Sequence, residues 1–123
     1  AVRLTYLLRD AKGVQINARD RKVGERRELY VAEDHGTKIS ISRVQAGSPN
    51  DVLATGNIPE SITKDAARTL EFRIVGDTLT ATLNDSVIAT AKDATITEGN
   101  FALVALRGVL IQKVEYQSLD KPN

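Results

Sequence analysis

Few residues in this chain have the type and spacing to do chemistry. There is no Cys, and His35 is the one histidine. A disulfide framework, a thiolate metal site and a Cys nucleophile are excluded together. Zinc or iron centres built on several histidines go with them. His35 sits in Asp34-His35-Gly36. A catalytic base there needs a nucleophile and an orienting acid beside it. No Ser lies on a strand–turn–helix elbow, so His35 reads as an exposed turn residue. Glycoside hydrolysis needs two carboxylates roughly 5–9 Å apart across a cleft. Glu33 and Asp34 are adjacent, but neighbours on a strand point to opposite faces. Glu71 and Arg73 share a face and read as a surface ion pair. No catalytic carboxylate pair is visible.

Binding chemistry has more candidates. Lys and Arg number 17 against 16 Asp and Glu, for a net charge of +1. Residues 1–45 hold 10 basic and 6 acidic side chains, and residues 46–123 hold 7 and 10. The densest stretch runs from Arg19 to Glu28 and includes Arg21. It is either a patch for an acidic partner or a solvated hairpin whose charges pair with one another; the second is the expectation. Nucleic-acid binding is not expected, because basic residues are not in excess and aromatics are only 4%. Glycan recognition commonly uses an aromatic platform with a few polar groups. Phe72 and Phe101 lie on apolar phases and read as core. Tyr6 and Tyr116 read as core with the hydroxyl at the rim. A ligand surface is therefore expected at Tyr30, with Arg19, Arg21 and Arg43. No apolar run reaches the ~20 residues of a membrane span, so membrane insertion is not expected.

The elements that must position these residues are strands. Val2, Leu4, Tyr6 and Leu8 alternate, as do Val14, Ile16 and Ala18. So do Ile39 and Ile41, Leu70, Phe72 and Ile74, Leu79, Ala81 and Leu83, and Phe101, Leu103 and Ala105. Either Tyr30 and Ala32 or Leu29 and Val31 mark a further strand. Ile111, Val114 and Tyr116 close the series with a phase change near Gln112-Lys113. Such alternation is the signature of half-buried antiparallel strands. Turn residues recur at 11–13, 34–36, 47–51, 76–77, 84–86 and 98–100. Ser61 to Ala67 is expected to form one helical turn. In the 119–123 tail, Pro122 ends any pairing. The pattern predicts one all-β domain over 1–123, an antiparallel two-sheet sandwich of nine or ten strands.

One region resembles a known family. The run RTLEFRIVGDTLTATLND over 68–85, then Val87, Ala91 and Asp93, then Glu98 to Leu103 and Gly108 to Leu110, is similar to the second half of concanavalin A-like (laminin G-like) jelly-roll domains. Tyr30-Val31 and Ile39 to Arg43 resemble the family's middle strands. Accessory domains of bacterial surface proteins and keto-disaccharide hydrolase-like domains share this pattern. Two departures stand out: no Trp precedes Leu70, and Asn84-Asp85 stands where Asn-Gly is usual. The resemblance implies a jelly-roll fold and a non-catalytic accessory or adhesion-type module that binds glycan or protein in an extracellular or cell-surface setting. It also implies a Ca²⁺ site at the sandwich rim, for which Asp77, Asn84, Asp85 and Asp93 are the candidates, with no other cofactor. Family members carry further strands before the equivalent of residue 1. The expectation is a domain excised from a larger protein, or one lacking N-terminal strands. Such a chain would pair through an open sheet edge with another copy or a complementing strand. A glycoside-hydrolase-like domain is the third alternative.

Overall fold

The computed structural model describes residues 1–105 and 108–116. The 119–123 tail lies outside the described residues. Ten strands follow in order: β1 (Val2–Leu7), β2 (Val14–Val23), β3 (Arg26–Asp34), β4 (Lys38–Gln45), β5 (Asp51–Asn57), β6 (Arg68–Val75), β7 (Thr78–Leu83), β8 (Ser86–Lys92), β9 (Asn100–Ala105) and β10 (Leu110–Tyr116). They form two five-stranded antiparallel sheets, ordered β10-β1-β6-β7-β8 and β5-β4-β3-β2-β9. The sheets stack as a two-sheet antiparallel sandwich, as the alternation predicts, of the jelly-roll type that the family resemblance implies.

The alternating residues meet between the sheets. Leu4, Ile16, Ile39, Ile41, Leu70, Phe72, Leu79 and Leu83 are wholly buried in one cluster. On β3 both candidate faces are covered, and Tyr30 and Ala32 point into the core. Asn84 and Asp85 both take positive φ, which the two-residue hairpin between β7 and β8 requires. The phase change near Gln112 is a bulge: Thr5 pairs with Lys113, and the next residue, Tyr6, pairs with Ile111.

Two expectations fail. Residues 61–67 form turns, not a helical turn. The Ile62 N–H closes on the Pro59 carbonyl, and the Lys64 carbonyl accepts from the Arg9 N–H. The Ile62 and Thr63 carbonyls turn to the Arg68 guanidinium. The backbone groups a helix would use are spent elsewhere. In addition, Asp51 opens a strand rather than closing a loop, and β5 carries no clean apolar alternation to announce it.

One side of the sandwich is closed by backbone contact. A Cβ on Gly56 in β5 would stand 1.9 Å from the Ile88 carbonyl oxygen in β8. Only glycine lets the two edges approach so closely.

Candidate functional site

Three polar residues sit on apolar strand phases. Tyr6 follows Val2 and Leu4 on β1, Asp34 follows Tyr30 and Ala32 on β3, and Arg68 precedes Leu70 and Phe72 on β6. The fold brings them together at one end of the sandwich. The Arg68 and Asp34 side chains are 1% and 0% exposed. Arg68 Nη1 donates to both Asp34 oxygens, at 3.1 and 2.9 Å. The Tyr6 hydroxyl donates to Asp34 Oδ2 at 2.6 Å, and the Gly36 N–H donates to Oδ1 at 2.7 Å. Burial, then the negative Asp34 beside it, pushes the Tyr6 phenol far above its ordinary range. Tyr6 therefore stays a neutral donor. A buried charge pair persists only when its remaining lone pairs and protons are satisfied, and here they are.

The pair also clamps loops. Arg68 Nη1 donates to the Gly36 carbonyl at 3.0 Å, Nη2 to the Ile62 carbonyl at 3.2 Å, and Nε to the Thr63 carbonyl at 3.4 Å. Gly36 holds φ +102°, a conformation that disfavours side chains. The Ile58 N–H joins the Thr37 carbonyl at 2.9 Å. Between the β3–β4 turn and the 58–64 segment lies a cleft of about 450 Å³. Asn57, Glu60 and Lys64 line it beside Ile58, Pro59 and Ile62, with Arg68 among its lining residues. These residues were missed as a site, although Tyr6, Asp34 and Arg68 were each legible as polar groups on buried phases.

The expected ligand surface at Tyr30 is corrected. Tyr30 is 0% exposed, so its ring cannot serve as a stacking platform. Its hydroxyl donates to Asp93 Oδ1 at 2.5 Å and accepts from the Ile96 N–H at 3.1 Å. Burial, then the bond to Asp93, raises the Tyr30 phenol. Arg43 pairs with Asp93 and donates to Asp51 at 2.6 Å, and Arg19 donates to the Ile96 carbonyl at 2.9 Å. Burial alone would raise Asp93. Hydrogen bonds from Tyr30 and Thr95 and the charge of Arg43 outweigh it and hold the carboxyl below its ordinary value. Thus Tyr30, Arg19, Arg43 and Asp93 do meet, as a plug that fastens the β8–β9 connection to the sheet. Arg21 pairs with Glu28 at 3.1 Å, and Arg27 pairs with Asp20. Four of the eight charged side chains from Arg19 to Glu28 thus pair with one another.

The candidate Ca²⁺ ligands divide between two ends. The Asp93 N–H bonds the Asp77 carbonyl, placing those two residues together. Asn84 and Asp85 lie beyond the other end of β7, roughly 20 Å away at about 3.3 Å per residue. The four cannot surround one ion. Among the described residues no cluster of three or more His, Cys, Asp or Glu converges.

His35 is exposed, as expected, yet it has neighbours. Its Nε2 lies 2.8 Å from Ser40 Oγ, and its Nδ1 lies 3.4 Å from Glu33. Ser40 and Glu33 are cross-strand partners within regular strands on the outer sheet surface, and neither they nor His35 lines the 450 Å³ cleft. Glu71 and Arg73 form the surface pair expected of them, at 3.4 Å.

No protein-family model and no curated protein matches the chain. Among solved structures it is similar to the carbohydrate-binding module CBM66 from Bacillus subtilis, with a TM-score of 0.68 and 20% identity, over 93% of this chain and 75% of that one. At that identity the likeness shows a common β-sandwich fold.

Proposed function

We propose that the chain is a non-catalytic, concanavalin A-like module that takes a glycan in the cleft between the β3–β4 turn and residues 58–64. One observation carries this reading: a cleft lined by both polar and apolar groups lies against a buried ion pair, in a fold shared with a carbohydrate-binding module. Its volume falls within the roughly 300–1,000 Å³ of small-ligand sites. Asn57, Glu60, Lys64, Thr37 and Thr63 offer amide, carboxylate, ammonium and hydroxyl groups to sugar hydroxyls, and Ile58, Pro59 and Ile62 offer apolar surface to the ring's C–H face. No aromatic lines the cleft. Such a site holds one sugar end-on by hydrogen bonds rather than stacking a long chain. Among the described residues Glu60 is its sole lining carboxylate, which does not meet the two-carboxylate requirement of glycoside hydrolysis.

A glycan array identifies the ligand, and calorimetry measures it. Asn57→Ala with Glu60→Gln is expected to weaken binding by about tenfold or more, the loss of one charged and one neutral hydrogen bond. Lys22→Ala, in the charged hairpin, leaves affinity unchanged. Absence of any bound glycan, or equal affinity in the cleft variant, overturns the proposal.

A further inference from the structure

The sandwich is sealed at β5–β8 and open at the opposite side. There β9 and β10 are the edge strands of the two sheets. The pairings Val2–Tyr116, Leu4–Val114 and Tyr6–Ile111 place Tyr116, Val114 and Ile111 on the core-facing side of β10. Likewise Ile16–Leu103 places Leu103 on the core-facing side of β9. Their partners on β1 and β2 are buried, but Tyr116 is 65% exposed, Val114 51%, Leu103 38% and Ile111 37%. The gap is bridged by the Phe101 and Tyr116 rings, edge-on at 5.3 Å between centroids. Neither β9 nor β10 contains Pro, and charges on β10 are confined to Lys113 and Glu115. Among the described residues no further strand pairs with β9 or β10, and an edge with exposed core residues is a template for another strand.

The charges say which strand fits. On the outer face, Glu71 of β6 stands opposite Arg3 of β1, and Arg3 stands opposite Glu115 of β10. The row reads minus, plus, minus, and a plus comes next. If β10 pairs antiparallel with β10 of a second copy about a two-fold axis at Val114, Lys113 of that copy lies opposite Glu115. The symmetric pair forms on the other side. Sliding by two residues sets Lys113 against Lys113, or Glu115 against Glu115. Sliding by one residue turns the apolar row outward. One register alone satisfies both rows.

The geometry points to homodimerisation through β10, with the two five-stranded sheets joined into one of ten strands. The exposed core-facing residues of both copies then close over each other. The interface is isologous, as a two-fold dimer requires, and lies away from the 36–64 cleft, so glycan binding and dimerisation stand or fall separately.

The test is sedimentation equilibrium of the full chain from micromolar to millimolar concentration, with amide exchange of β10. Wild type is expected to dimerise, with β10 amides slowing as concentration rises. Lys113→Glu and Glu115→Lys each make two like-charge contacts in their own dimer. Each is expected to weaken self-association by about tenfold or more. Mixed in equal amounts, they restore both opposite-charge pairs and associate as wild type does, while circular dichroism shows each variant folded. A monomer at every concentration overturns the inference. So does a dimer indifferent to either charge change, or a monomer whose β10 amides are already protected by some other strand.

Discussion

Removing Arg68 should cost the protein a large share of its stability. Arg68→Ala leaves the Asp34 carboxylate fully buried with only the Tyr6 hydroxyl and the Gly36 N–H. It also withdraws the donor from the Gly36, Ile62 and Thr63 carbonyls. Breaking a buried pair from one side costs about 3–5 kcal/mol, against a total of about 5–15 kcal/mol for an ordinary domain. For a chain of this size, about 3–6 °C of midpoint follows each kcal/mol, so the unfolding temperature should fall by about 9–30 °C. Asp34→Asn should be destabilising as well, because it strands the guanidinium. The double variant Asp34→Asn with Arg68→Met should lose at least about 1 kcal/mol less than the sum of the singles. Urea unfolding followed by circular dichroism measures all four proteins. An Arg68→Ala protein within about 1 kcal/mol of wild type, with no coupling to Asp34, would refute the clamp.

Other outcomes follow from the same contacts. The Tyr6 phenol is raised in the folded state, so above about pH 10 the unfolded chain releases a proton that the native state keeps. Stability is full below that pH and should fall above it by about 1.4 kcal/mol per pH unit, and Tyr6→Phe should reduce that slope in pH-dependent unfolding. Gly56→Ala would drive a Cβ into the Ile88 carbonyl and should cost about 2 kcal/mol or more in urea unfolding. Ser40, His35 and Glu33 contact one another outside the 450 Å³ cleft. Hydrolysis of an activated ester should therefore be the same for wild type and Ser40→Ala, and a Ser40-dependent rate would contradict a non-catalytic role.

Much of the fold was legible because the apolar residues keep strict period two: Leu70, Phe72 and Ile74 could face only one way. β5 was not legible, since its edge position asks for no clean apolar face. Residues 61–67 depart from the helical expectation because Ile62 and Thr63 give their carbonyls to Arg68, which is held by Asp34 far back in the chain, and Lys64 gives its carbonyl to the equally remote Arg9 N–H, so the cause is not visible locally. The candidate site was half legible. Tyr6, Asp34 and Arg68 sit in phase with core residues and so announce themselves as buried polar groups, but which would meet depended on sheet order. Tyr30 was misassigned for the opposite reason. Its neighbours allowed either face, and only the pairing of β3 with β2 and β4 turned its ring inward. Asp77 and Asp85 both looked like rim residues, and one strand length separates them.

The cleft between Gly36 and Lys64 is proposed to bind glycan. Titrating an isotopically labelled chain with the best glycan from an array, and following backbone amide shifts, tests it most directly. Saturable shifts confined to Gly36, Thr37 and residues 57–64 are expected. Shifts centred instead on the Tyr30–Asp93 plug or on the outer face around Ser40, or no shifts at all, would contradict it.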